Sequence, residues 1–145
     1  MAARIHSIAF DPAAAALLGA NSLPTDDLAG ALNVVLFGHG SGRSLAGVVG
    51  LEMFGPDVLL RSLVVAEASR GSGLGAALVA HAERYAVEHG ARRLYLLTTT
   101  AEGFFERHGF ARAVRSDAPH GIASSREFSG LCPASSTCMV KYLDR

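Results

Sequence analysis

Arg70-Gly71-Ser72-Gly73-Leu74-Gly75 joins an apolar, strand-like run, Val58 to Val65, to a helix-like run, Leu74 to His89, which Gly90 closes. No other feature constrains the chain as strongly. A strand that enters a helix through glycines sets that helix back across a sheet. The amides of the first helical turn and the positive end of the helix dipole then converge on one spot, which favours a phosphate group. The chain is expected to hold a phosphorylated cofactor there.

Length and charge narrow the remaining choices. A chain of 145 residues suits one domain, 1–145, able to bury about two-thirds of the surface its unfolded form exposes. Thirteen Lys and Arg balance thirteen Asp and Glu, so neither a nucleic acid nor an anionic membrane is an expected partner. Arg61 interrupts the longest aliphatic run, which is too short to span a bilayer. Asp11 and Pro12 fall where a signal peptide needs unbroken apolar residues, so a soluble protein without a targeting segment is expected. Cys132 and Cys138 lack the spacing of a redox or zinc pair and the histidines are scattered, so no metal is expected and a reducing cytoplasm fits. The apolar composition and modest size favour a homodimer.

Periodicity and turn residues predict the elements. Ile5 to Phe10 reads as a strand, Asp11-Pro12 as the start of an alanine-rich helix, and Asn21 to Asp27 as a polar turn followed by a short helix from Thr25 or Asp26 to Leu32. Val34 to Phe37, a Gly38 to Gly42 loop, Leu45 to Phe54, a Gly55-Pro56-Asp57 turn and Val58 to Val65 read as an antiparallel meander. The helix after the glycine turn shows an apolar face at Leu74, Ala77, Leu78, His81 or Ala82, and Tyr85. Leu94 to Thr99 is a strand parallel to Val58 to Val65, by the right-handed crossover rule. Glu102 to Arg107 is a helix, Phe110 to Val114 a strand, Gly121 to Leu131 a helix and Thr137 to Leu143 a last strand. The expected fold is a mixed, mostly antiparallel sheet of about six to seven strands flanked by helices.

The letters of the glycine turn support more than one reading. A nucleotide-triphosphate loop fails because no Gly-Lys-Ser or Gly-Lys-Thr follows. Gly71-x-Gly73-x-x-Ala76 fits the letters of a dinucleotide fingerprint, but Ala66 to Arg70 separate it from its strand, and the next strand ends in Thr98-Thr99-Thr100 with no acidic residue for a ribose. An ordinary helix start packed through small residues stays open on these letters alone.

Leu63-Val64-Val65 followed by Arg70-x-x-Gly73-x-Gly75 resembles the acetyl-CoA signature of the GNAT superfamily of N-acetyltransferases. Ala101, Phe104-Phe105 and Gly109-Phe110 resemble its second cofactor motif, about thirty residues on. Leu94 to Thr100 with Phe104 to Phe110 is similar to the acetyltransferase part of bacterial N-acetylglutamate synthases. Leu23-Pro24-Thr25-Asp26, Leu60-Arg61-Ser62, Glu127-Phe128 and Leu131 to Ser135 are similar to small acetyltransferases encoded beside arsenic-resistance genes. The resemblance implies acetyl-CoA as co-substrate and, as acceptor, the amino group of a glutamate-like compound or its arsenic or phosphorus analogue.

It also implies roles for residues. Leu63, Val64, Val65, Phe104, Phe105 and the turn from Arg70 through Gly71, Ser72, Gly73, Leu74 and Gly75 to Ala76 would bind the cofactor. The amide at Val65 would donate to the thioester oxygen between two strands splayed near Val65 and Thr98. The family's common tyrosine acid stands here as Phe105, its asparagine as Thr98, and the glutamate some members use as base falls near Leu59. Glu52 is the best remaining base, against a solvated strand glutamate. Arg61, in an otherwise apolar strand and on the face of Leu59 and Leu63, needs a partner: a substrate carboxylate, or Glu52 or Asp57. Thr98 and Thr99 are candidates for substrate binding or for capping the next helix; Cys132 is a candidate substrate contact or a small buried residue. The missing acid keeps a second class of function open, a degenerate acyl-CoA-binding sensor.

Overall fold

A computed structural model describes residues 4–31 and 33–143. Seven strands form one sheet: β1 (His6–Ile8), β2 (Val34–His39), β3 (Gly47–Phe54), β4 (Asp57–Val65), β5 (Arg93–Thr98), β6 (Ala111–Arg112) and β7 (Thr137–Tyr142), in the order β1-β2-β3-β4-β5-β7-β6. Every neighbouring pair is antiparallel except β4 and β5, which run parallel. The helices are α1 (Pro12–Ala20), α2 (Leu74–Glu88), α3 (Glu102–Arg107) and α4 (His120–Ala123). None is long and apolar enough to cross a membrane among the described residues.

Local chemistry explains most of these elements. Asp11 caps α1, its carboxylate accepting from Ala14 N at 2.9 Å, with Pro12 in the first turn where no N–H is needed. Helix α2 buries Leu74, Leu78, Val79, Ala82 and Ala86 against the sheet, a stripe rotated from the one read from the sequence, so that Ala77 and Tyr85 sit at its rim. Gly47 admits that helix: a Cβ there would lie 2.9 Å from Leu78 Cδ1 and 3.0 Å from Leu74 Cδ2.

Some expectations are corrected. No helix forms over 25–31, where turns follow one another, and Leu32 lies outside the described residues. Strand β2 continues through Gly38 and His39, which pair with Val48 and Gly47, and β6 shrinks to two residues. The helix expected from Gly121 to Leu131 divides. Ser125 Oγ donates to Ile122 O at 2.6 Å, a local bond that competes with helix continuation, and the chain resumes as a wide turn, Glu127–Leu131, closed by Cys132 N donating to Glu127 O at 3.1 Å. This division turns Glu127 and Phe128 inward.

Strand β4 carries the most consequential irregularity. Val48 pairs with Val64 but Gly50 pairs with Arg61, so Ser62 and Leu63 together oppose Val49 in a bulge, and Ser62 takes φ 59°. One extra residue reverses the facing of everything after it. Val58, Leu60, Leu63 and Val65 therefore pack toward α2, while Leu59 and Val64 pack on the opposite side. The expected sharing of a face by Arg61 and Leu63 fails for this reason; Arg61 keeps Leu59 but gains Val64.

Candidate active site

Strands β4 and β5 pair only at Asp57 with Arg93, Val58 with Leu94 and Leu59 with Tyr95. Beyond Leu59 they part, and two cavities open in the gap. One, of about 200 Å³, reaches between Arg61 on β4, Leu96 on β5 and the Glu127–Leu131 turn. The other lies against Val65, Arg70, Gly75 and Phe104. Leu23, Leu63, Thr100 and Ala101 line both, so the two meet where the strands diverge.

The second cavity lies against the glycine turn and the start of α2. Gly71 and Gly73 hold φ of 79° and 87°, a conformation that side-chain-bearing residues resist, and Gly73 caps α2. Ala77 N bonds back to Gly73 O at 3.1 Å, so the amides of Leu74, Gly75 and Ala76 point out of the helix start. A Cβ at Gly75 would lie 3.5 Å from the Phe104 ring and 3.7 Å from Val65 Cγ2, so glycine keeps the space beside Phe104 open. Ser72 Oγ donates to Ser69 O, and Arg70 donates from Nε to Val65 O (3.1 Å) and from Nη2 to Asn21 Oδ1 (2.7 Å). Ala66 N donates across the ladder to Ala46 O at 2.7 Å. Strand alternation then turns the Val65 amide the other way, into the gap. Val64 instead packs on the opposite side, beneath α1.

The first cavity is organised around Arg61, whose side chain has no exposed surface. Its Nη1 donates to Asp27 Oδ2 (2.5 Å) and Glu52 Oε1 (3.1 Å), its Nη2 to Asp27 Oδ1 (2.8 Å) and more distantly to Pro24 O (3.5 Å), and its Nε to Ser62 Oγ (3.2 Å). Glu127 Oε2 stands 3.3 Å from Nη2. A guanidinium has five N–H donors, and these contacts occupy them. The substrate carboxylate anticipated for Arg61 finds its place taken by the protein's own acids, and Asp57 pairs instead with Arg93 at 2.6 Å.

Glu52 takes the role of partner to Arg61 that the sequence offered it: it bonds Arg61, is buried rather than solvated, and does not line the cavity where a base would stand. Glu127 does line it, and sequence reasoning did not single it out as a base. The available signal was Arg61 itself: a buried arginine requires buried acids, and the tail holds one beside Phe128. Burial pushes the Glu127 carboxyl up to about 6 against the pull of Arg61, while Asp27, also desolvated, is held below its ordinary value by its bond to Arg61. Burial and the neighbouring Glu127 carboxylate push the Cys132 thiol up to about 12, so at neutral pH it is a protonated wall residue and not a thiolate.

Thr98 Oγ1 accepts from Ala101 N at 3.0 Å, capping the approach to α3, while Thr99 also lines the first cavity. Phe105 faces that cavity and packs edge-on against Phe104 and Phe110, with ring centroids 5.2 and 5.5 Å away. No tyrosine lines either cavity among the described residues, and no group of His, Cys, Asp or Glu there could hold a metal ion.

A mixed sheet whose one parallel pair opens beside a glycine-turn helix is the fold of the acetyltransferase class. The sequence profile of the acetyltransferase (GNAT) family matches residues 21–110, and the chain belongs to that family. N-acetylglutamate synthase from Neisseria gonorrhoeae, complexed with coenzyme A and L-arginine, superposes with a TM-score of 0.79 at 22% identity, covering 100% of this chain and 34% of the other. This chain thus spans about a third of that protein's length. A GNAT-family acetyltransferase from Staphylococcus aureus gives 0.76 at 16% identity over 97% and 100% of the two chains. An IAA acetyltransferase from Bacillus cereus gives 0.72 at 18% identity over 98% and 100%. These likenesses show the fold. Among curated proteins none matches the sequence.

Proposed function

We propose that residues 1–145 act as a single acetyl-CoA-dependent N-acetyltransferase domain that acetylates the primary amine of a small acceptor. The observation that carries this reading is the meeting of two cavities at Leu63, Thr100 and Ala101, in the gap that β4 and β5 leave beyond Leu59. Acetyl-CoA supplies an acyl group already activated as a thioester. The amides of Leu74 to Ala76, with the Gly71 to Gly73 turn, would hold its pyrophosphate at the helix start. Val65 N–H, aimed into the gap, would donate to the carbonyl oxygen as negative charge develops there, a kind of contact worth about 10²- to 10³-fold in rate. Phe105 and the leucines of the wall exclude water from the same place.

The finer acceptor read from the sequence is a glutamate-like amino acid or its arsenic or phosphorus analogue. It is supported by the tail resemblance, but the arginine that was to receive its carboxylate is committed to Asp27, Glu52 and Glu127. A homodimer in the cytoplasm belongs to the same reading on composition alone, and sedimentation tests the dimer. The activity itself is tested by incubating the purified protein with acetyl-CoA and a broad amine panel while following free thiol. Thiol release that depends on the amine is expected. Stabilisation by acetyl-CoA without turnover would favour the sensor instead.

A further inference from the structure

The walls of the first cavity decide what amine can enter it. Among the described residues that line it, Arg61 alone is cationic, and its donors are spent. No cationic side chain of the lining is left free to pair with a carboxylate. The charge imbalance runs the other way: one guanidinium faces the carboxylates of Asp27, Glu52 and Glu127, with side-chain exposures of 7%, 10% and 5%. Arg126 acts on Asp27 only at longer range, so within contact distance the acids outnumber the guanidinium, and buried charges persist when paired.

A second feature of the same cavity points to a ligand. Ser136 Oγ is buried in the wall, its residue 8% exposed, with no hydrogen-bond partner. The other buried polar atoms in that position are engaged in ion pairs, Asp57 with Arg93 and Glu83 with Lys141. Ser136 has none, and a buried hydroxyl without a partner is costly unless something arrives to bond it. Leu60, Leu96, Leu97, Leu131 and Phe105 supply the apolar part of the wall, beside the hydroxyls of Thr99 and Thr100.

On the basis of the function proposed above, we infer that the acceptor is a primary alkyl- or arylalkylamine without a carboxylate, bound through its ammonium to Glu127 and Ser136, and that Glu127 accepts its proton. The ammonium offsets the excess of carboxylates, and the leucines of the wall take the carbon chain. One N–H proton passes to the Glu127 carboxylate, leaving a neutral amine. Its nitrogen lone pair forms the C–N bond to the acetyl carbon as the C–S bond breaks. The second proton moves from nitrogen to the departing sulfur, and Glu127 returns the first to water. Arg61 from β4, Asp27 from the 21–31 segment, Glu52 from β3 and Cys132 from its own turn face Glu127, and burial among them sets its carboxyl near 6, within reach of this exchange.

The experiment compares isopentylamine and phenethylamine with glutamate, aspartate and arginine. Thiol release is followed with acetyl-CoA, and amine binding is followed by calorimetry with CoA present. At least one of the two amines should exceed each amino acid about a hundredfold in kcat/KM. Glu127→Gln should lower kcat at least tenfold and abolish the fall in kcat/KM below about pH 6. Ser136→Ala should weaken calorimetric amine binding severalfold while acetyl-CoA KM stays unchanged. Preference for glutamate or aspartate, turnover of no panel member, or full activity in Glu127→Gln would each overturn the inference. Thiol release across the broad amine panel, measured separately, tells such a result apart from failure of the acetyltransferase reading, in which no amine of that panel would release thiol.

Discussion

Arg61 and Asp27 face each other in a two-pronged ion pair, Nη1 to Oδ2 at 2.5 Å and Nη2 to Oδ1 at 2.8 Å, with both side chains nearly closed to solvent. The pair ties the 21–31 segment to the middle of β4. Removing one partner of a buried pair leaves the other charge uncompensated, so Asp27→Ala should cost about 3–5 kcal/mol in urea denaturation. Arg61→Lys should not preserve stability, because an ammonium cannot match both carboxylate oxygens. A loss under about 1 kcal/mol would mean the pair behaves as an exposed one.

Glu127 should destabilise the protein at neutral pH. Its folded carboxyl lies at about 6 against an ordinary 4.5, so ionisation is disfavoured in the folded state. The corresponding stability is present below 4.5 and is lost as pH rises through 6, by an amount on the order of 2 kcal/mol. Glu127→Gln should therefore raise the denaturation midpoint at pH 8 and change little at pH 4.5. A variant less stable than the parent at pH 8 would show the Glu127 contact with Arg61 to be a stabilising one.

Gly75 separates folding from cofactor binding. A Cβ would meet Phe104 and Val65 only at ordinary contact distance, and alanine in a helix is favoured over glycine by roughly 0.5–1 kcal/mol. Gly75→Ala should match or exceed the parent in Tm yet raise the acetyl-CoA KM at least tenfold. Unchanged KM would mean that the glycine serves helix packing alone.

Phe105→Tyr tests the missing acid. A positioned general acid is worth about 10²- to 10⁴-fold, yet here the nitrogen itself can give sulfur its proton. The variant should stay within twofold of the parent in kcat, measured with its best acceptor. A tenfold gain would show that thiolate protonation limits the native reaction.

Much of this architecture was legible from residue order. Asp11-Pro12 announced α1, and the glycine turn with the spacing from Leu74 onward announced α2. The arrangement around Arg61 was not legible, because it joins four segments that lie apart in sequence and depends on two irregularities. The bulge at Ser62 changes which face the end of β4 presents, and alternation of residue types cannot reveal an extra residue in a strand that is apolar on both faces. The break between Ala123 and Glu127 turns a helix-like stretch into a wide turn, and serines that can bond their own backbone leave that choice to tertiary packing. Of the two acids that the sequence offered Arg61, Glu52 pairs with it and Asp57 pairs with Arg93, while Asp27 and Glu127 come from segments that only the fold brings near.

The claim that acetyl-CoA and the acceptor meet in the gap beyond Leu59 is tested most directly by product analysis. Purified protein is mixed with acetyl-CoA and isopentylamine or phenethylamine, and free thiol and acetylated amine are counted together by absorbance and mass spectrometry. The account predicts one acetylated amine per thiol released, with no acetyl group retained on the protein. Bound acetyl-CoA that yields neither product, or an acetylated protein intermediate, would contradict it.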